Sequence, residues 1–161
     1  MIPQISQAPG VVQLVLNFLQ VLEQQGFTGD TATSYADRLT MATDNSVYQL
    51  LPDAILFPRS TADVALLARL AAEERFKTLI FTPRGGGTGT NGQALNAGII
   101  VDMSRYMNRI IEINPEEGWV RVEAGVIKDQ LNQFLKPYGY FFAPELSTRS
   151  EERRVGKECR S

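Results

Sequence analysis

Apolar positions along the chain follow two rhythms. Between residues 11 and 25 the apolar side chains Val11, Leu14, Val15, Phe18, Leu19 and Leu22 recur at helical spacing, and Gly26 is a natural stop. A second helix is predicted over residues 61–75, where Val64, Leu66, Leu67 and Leu70 recur among alanines. Ser60 followed by Asp63 has the form of its N-terminal cap. A third is predicted over 126–138, burying Ile127, Leu131, Phe134 and Leu135 and ending at Pro137 and Gly139. A short helix fits 35–41. Short apolar runs between them predict strands at 53–57, 78–82, 98–102, 109–113 and 119–123, the last two joined by a turn at 115–118. Residues 28–49 are polar and mixed and form the one linker candidate. This order of elements predicts a mixed α/β or α+β domain.

Composition narrows the function. The chain has 161 residues, 43% hydrophobic and 21% charged, which is the composition of one ordinary globular domain. A net charge of -2 argues against nucleic acid or an anionic membrane as the main partner. No apolar run approaches the roughly 20 residues of a spanning helix. The start of the chain has no basic region ahead of an apolar core, so no signal peptide is expected. There is no histidine and one cysteine, Cys159. Within this chain that excludes a histidine-based triad, a histidine zinc site, a histidine-tethered flavin, a disulfide framework and a cysteine-held cluster. A cytoplasmic location is the expectation.

The informative segment is residues 82–92, Thr-Pro-Arg-Gly-Gly-Gly-Thr-Gly-Thr-Asn-Gly. Five glycines follow a buried strand: Gly85, Gly86, Gly87, Gly89 and Gly92. Glycine permits positive φ and lets a ligand approach the main chain, and successive N–H groups can converge on an anion. The loop is not a P-loop, because Gln93 stands where the lysine should be. It contains the letters G-x-G-x-x-G at Gly87, Gly89 and Gly92 without the context. Only residues 93–97 separate it from the next strand, and a Rossmann crossover helix needs more. The reading is a phosphate loop between two strands. Backbone N–H groups, the hydroxyls of Thr88 and Thr90, and Arg84 would meet the charge. Arg84 has an alternative reading, as structural partner of an acidic side chain.

The motifs then fall into a known order. Pro52-x-Ala54-Ile55-x-x-Pro58-x-Ser60, Pro83-Arg84-Gly85-Gly86-Gly87-Thr88-Gly89, Gly98 to Ser104, Met107 to Ile110 and Val122-x-Ala124-Gly125-Val126 resemble the FAD-binding domain of FAD-linked oxidases. These are of the vanillyl-alcohol-oxidase or p-cresol-methylhydroxylase (PCMH) type. The nearer likeness is to the D-lactate, glycolate and D-2-hydroxyglutarate dehydrogenase branch, and within it to large bacterial enzymes that add an iron–sulfur C-terminal part. The resemblance covers residues 40–148. It implies an α+β PCMH-type FAD-binding domain, its first subdomain plus the start of the second, with 1–39 as an N-terminal helical segment.

It also implies a non-covalently bound FAD that accepts hydride from a D-2-hydroxy acid. Residues Arg84 to Gly89 would wrap the FAD pyrophosphate, with Asn91 and Gly92 nearby. Pro144, Glu145 and Ser147 match a second cofactor-contacting segment, whose plain reading is an ordinary turn. Any iron–sulfur cluster would belong to a C-terminal part outside this sequence. Asp44-Asn45-Ser46 resembles a segment near the flavin domain's entrance, and an Asx turn explains it equally well. Asp102 and Glu123 sit at strand ends, where carboxylates are solvated or cap a loop. No catalytic residue and no metal ligand is therefore assigned.

After Thr148 the family pattern stops. Residues 149–161 hold five basic and three acidic groups and one large apolar residue, Val155. They read as a tail that is either non-native or disordered. Two alternatives to the flavoenzyme reading follow: a non-catalytic module that binds a nucleotide or a partner, or an inactive fragment. Uncovered strand faces would in either case invite association.

Overall fold

A computed structural model of the chain describes residues 10–144. These divide into two compact units, one ending at Met107 and the other beginning at Asn108.

The first unit is built on a four-stranded sheet. Its strands are β1 (Asp30–Ala32), β2 (Ala54–Phe57), β3 (Phe81–Arg84) and β4 (Ile99–Asp102), in the spatial order β1-β2-β4-β3. β4 runs parallel to both β2 and β3, and β1 lies antiparallel to β2. Every residue of β2 and β4 is buried, as expected for parallel strands covered on both faces. Three helices accompany the sheet: α1 (Gln13–Gln24), α2 (Tyr35–Thr40) and α3 (Thr61–Ala71). Val15, Phe18, Leu19 and Leu22 of α1 meet Leu66, Leu67 and Leu70 of α3 over Ala54, Leu56, Ile99 and Val101 of the sheet. Phe18 packs edge-on against Phe76 at 5.1 Å and against Phe81 at 5.2 Å. Each such side chain contributes roughly 1.5–3 kcal/mol by leaving water.

Several boundaries differ from the predicted ones, each for a local reason. α3 stops at Ala71 and not at 75, because tight turns at 73–79 bring Phe76 back onto Phe18. β3 starts three residues later than predicted, ends two later, and includes Pro83 and Arg84. A proline is tolerated there because β3 is an edge strand with one neighbour, β4. The linker candidate 28–49 carries β1, α2 and an isolated bridge between Thr43 and Gln49. Its polar residues are spent on structure. Arg38, 3% exposed, donates to the Pro52 carbonyl at 2.6 Å and lies 3.8 Å from Asp53.

The second unit pairs β5 (Ile110–Asn114) with β6 (Trp119–Val122) as an antiparallel hairpin. The turn is closed by Gly118 at φ 72°. Helix α4 (Lys128–Leu135) follows, shorter than the predicted 126–138. Pro137 lacks the N–H that would continue it, so the chain tightens into a 3-10 turn over Lys136–Tyr138 and reverses at Gly139. The mixed helix-and-sheet class is as predicted. No helix among the described residues is long and apolar enough to cross a membrane. The tail expected at 149–161 lies outside the described residues.

Asp63 ties the first unit together. Its N–H is capped by Ser60 at 3.2 Å, so the predicted cap is present. Its carboxylate, 2% exposed, accepts the Thr28 N–H and hydroxyl at 2.8 Å each and the Arg59 N–H at 2.9 Å. Burial opposes ionisation, but these donors prevail and hold the group below the ordinary carboxylate range. Asp63→Ala strands those donors and should cost about 2–4 kcal/mol in urea denaturation at neutral pH. The carboxyl is depressed on folding, so this contribution is complete above the unfolded value of about 3.9. The gap between wild type and variant should therefore close as pH falls through the lower native value.

Candidate functional site

The glycine loop leaves the C-terminal end of β3 and returns, without a helix, to the start of β4. Residues 85–98 are thus the whole parallel crossover. The return is fixed by Asn96, 8% exposed, whose side chain donates to the Ile99 carbonyl at 3.2 Å and accepts the Gly98 N–H. A Cβ on Gly98 would meet the Ile80 carbonyl oxygen at 2.5 Å. Gly98 is therefore required by packing.

The five loop glycines have different reasons. Gly87 and Gly92 have φ of 64° and 75°, a conformation that favours glycine. A Cβ on Gly87 would also collide with the Arg84 guanidinium, and one on Gly92 would sit 3.1 Å from Tyr48 Cδ2. A Cβ on Gly89 would meet Gln93 Cδ at 2.5 Å. Gly85 and Gly86 differ. Neither has positive φ, a Cβ on Gly85 would meet nothing within 4 Å, and one on Gly86 would meet only Thr88 Cγ2 at 3.5 Å. The fold does not require glycine at these two positions. They leave bare, exposed main chain at the crest, beside the exposed Thr88 and Thr90. Among the described residues, the N–H groups of Gly86, Gly87, Thr88 and Gly89 have no acceptor. N–H groups without acceptors are what a phosphate ester needs.

Arg84 sits beneath this crest. It is 9% exposed, and its Nη1 and Nη2 donate to the carbonyls of Met41 at 3.3 Å and Thr43 at 2.8 Å. Its structural role is therefore to pin the 41–49 hairpin against the loop. The Asn45 N–H adds a bond to the Gly87 carbonyl at 3.1 Å. Sequence reading missed this hairpin as a partner of the loop. The available signal was Asp44-Asn45-Ser46, and the Asx turn it suggested is present, with the Ser46 N–H on Asp44 Oδ1 at 2.8 Å. The Asp44 carboxyl is held below its ordinary value, first by Ser46 and further by the charge of Arg84 and the nearby Ala94 N–H. Gln93, where a P-loop lysine would stand, accepts the Asn91 N–H at 3.0 Å.

The remaining candidates are placed as follows. Asn91 is exposed in the loop, and Pro144 is exposed in the second unit. Glu145 and Ser147 lie outside the described residues. Asp102 caps the turn after β4, accepting Ser104 N–H and Oγ at 2.9 and 2.8 Å and Arg105 N–H at 3.0 Å. Glu123 pairs with Arg109 at 2.7 Å, which holds its carboxyl low. Both are engaged as structural anions. No group of metal-ligating side chains occurs among the described residues.

The FAD binding domain family matches residues 52–152. The chain is 90% identical over 148 residues to a D-2-hydroxyglutarate dehydrogenase of Escherichia coli K12 and 78% identical over the same length to that of Pantoea ananatis. Each match covers 92% of this chain and 14% of the relative. In fold it is similar to an alkyldihydroxyacetonephosphate synthase, with a TM-score of 0.68 at 21% identity, over 85% of this chain and 28% of that one.

The two kinds of loop glycine should separate in stability measurements. Gly85→Ala and Gly86→Ala should leave thermal stability unchanged or raise it by up to about 1 kcal/mol. Gly87→Ala, forced to positive φ and into Arg84, should cost more than about 1–2 kcal/mol. Thermal melts of the three variants check this.

Proposed function

We propose, because this chain belongs to the FAD binding domain family, that it forms the part of a flavoenzyme that grips FAD by its pyrophosphate for oxidation of a D-2-hydroxy acid. Membership carries the cofactor and the PCMH-type fold. The observation that carries the site is the pair of bare glycines, Gly85 and Gly86, on a crest of N–H groups without acceptors among the described residues. Positive φ accounts for Gly87 and Gly92, and the Gln93 side chain crowds Gly89, which leaves Gly85 and Gly86 to be explained by what approaches them.

The residues present fit such a ligand. A diphosphate would be met by the N–H groups of residues 86–89 and by the hydroxyls of Thr88 and Thr90, with Asn91 and Gly92 bordering the contact. Arg84 would act from beneath, through the shape it gives the loop and through its charge. Pro144, Glu145 and Ser147 would belong to a second contact segment. FAD, when bound, supplies the hydride acceptor, and the chain's task is to hold and orient it. The substrate class is supported by the names of the two dehydrogenases that match nearly the whole chain. The chain spans 14% of their length.

Gly86→Val is the direct test. A Cβ at this exposed position meets only Thr88 Cγ2, at 3.5 Å, so the variant should melt close to wild type while FAD affinity, measured by flavin fluorescence titration, falls at least tenfold. Equal affinity would sink the loop assignment. Sequencing the source DNA across codons 140–170 separates the two classes of function. A frame that runs past Thr148 into a second glycine-rich segment supports the enzyme, and a stop after Ser161 supports a binding module.

A further inference from the structure

We infer that Asn91–Gly92 is a self-modifying site of the glycine loop: the Gly92 nitrogen closes on the Asn91 side-chain amide, turns it into an acid, and leaves a loop that binds phosphate poorly. The modification rests on the geometry of the loop alone; its effect on a ligand rests on the flavin reading above.

The chemistry needs a side-chain amide, an unengaged N–H on the next residue and no bulk between them. The Gly92 nitrogen attacks the Asn91 side-chain carbonyl carbon. A C–N bond forms there, and the side-chain nitrogen leaves as ammonia. Water then opens the five-membered imide at either carbonyl. One opening gives aspartate. The other gives isoaspartate, in which the main chain runs through the former side chain. Either product carries a new negative charge, and nothing is oxidised or reduced.

Asparagine is among the thermolabile residues. Of those in this sequence, Asn91 alone precedes a glycine. It is exposed, and among the described residues neither its side chain nor the Gly92 N–H makes a hydrogen bond. Elsewhere the fold blocks the step. Asn45 is exposed too, but Asp44 Oδ1 holds the N–H of Ser46 at 2.8 Å. After Asn108, Glu123 holds the Arg109 N–H at 2.8 Å. After Asn114 comes Pro115, which has no N–H. The Asn96 amide is buried and bonded at both ends. Asn17 and Asn132 lie in α1 and α4, where intrahelical bonds take the next N–H.

The new charge would be felt at the crest. Asn91 is two residues from Gly89, so their Cα atoms lie within about 7 Å. Salt screens over about 8 Å, a longer distance. Gln93 couples the two residues. Its side chain fills the space that a Gly89 Cβ would need, and its Oε1 accepts the Asn91 N–H at 3.0 Å. Isoaspartate lengthens the main chain directly after that bond.

Peptide mapping by mass spectrometry follows amide-to-acid conversion at Asn91 and Asn45 in the full chain without FAD, folded and in urea. Folding should slow conversion at Asn45 by about tenfold or more, and at Asn91 by less than about threefold. Equal protection of the two sites would overturn the inference, as would an Asn91 that does not convert. Asn91→Asp supplies the acid from the start, and its FAD affinity in a fluorescence titration should fall about tenfold. An affinity equal to wild type would overturn the claimed effect on phosphate. Should Asn91→Asp fail to fold, aged wild-type chain purified by ion exchange takes its place, with the same two outcomes. A wild-type chain that binds no FAD would remove the flavin reading, and the conversion rates would still decide whether Asn91 modifies itself.

Discussion

The first unit depends on a parallel pairing that must be closed without a helix. β4 lies between β2 and β3 and runs parallel to both. The β2-to-β3 connection uses helix α3, which covers the sheet and contributes to the core. The β3-to-β4 connection has only residues 85–98. A crossover so short and so rich in glycine has little side chain with which to hold itself. Its return is fixed from within by Asn96 and Gly98, and its crest from outside by the 41–49 hairpin.

That arrangement assigns charge and contact to different atoms. The cation near the crest is committed to carbonyls below the surface, and the surface consists of main-chain N–H groups and hydroxyls. On the reading proposed here, an anion at the crest would meet dipoles fixed by the fold, not a mobile side chain that must first be ordered. The entropy of ordering the loop is largely met during folding, when the hairpin is clasped against it.

The sequence displays most of the fold because most of the fold is periodic. The stripe of α1, the Ser60–Asp63 cap and the apolar runs at 54–57 and 99–102 all announce buried apolar surface. β3 is displaced from its expected place because Leu79 and Ile80 look like strand, while the pairing continues through Pro83 and Arg84. β1 is illegible because three residues of mixed polarity carry no periodicity. The glycine loop is conspicuous by composition, yet its partner hairpin is not, since the contacts are between backbone carbonyls and an arginine more than forty positions away. Composition also could not sort the glycines. Gly86 and Gly87 are adjacent and identical as letters; only dihedral angles and neighbouring atoms give them different reasons to be there.

The bareness of Gly85 and Gly86 has a consequence for anyone who would improve this domain. Selection by expression, solubility or melting temperature sees no objection to alanine at either position, and a slight gain in its favour. Consensus or library design scored on such readouts would drift these two sites away from glycine while every quality measure rose. On the reading proposed here, the positions that the flavin would approach would be the first to be optimised out of existence, and only an assay that includes the flavin would notice.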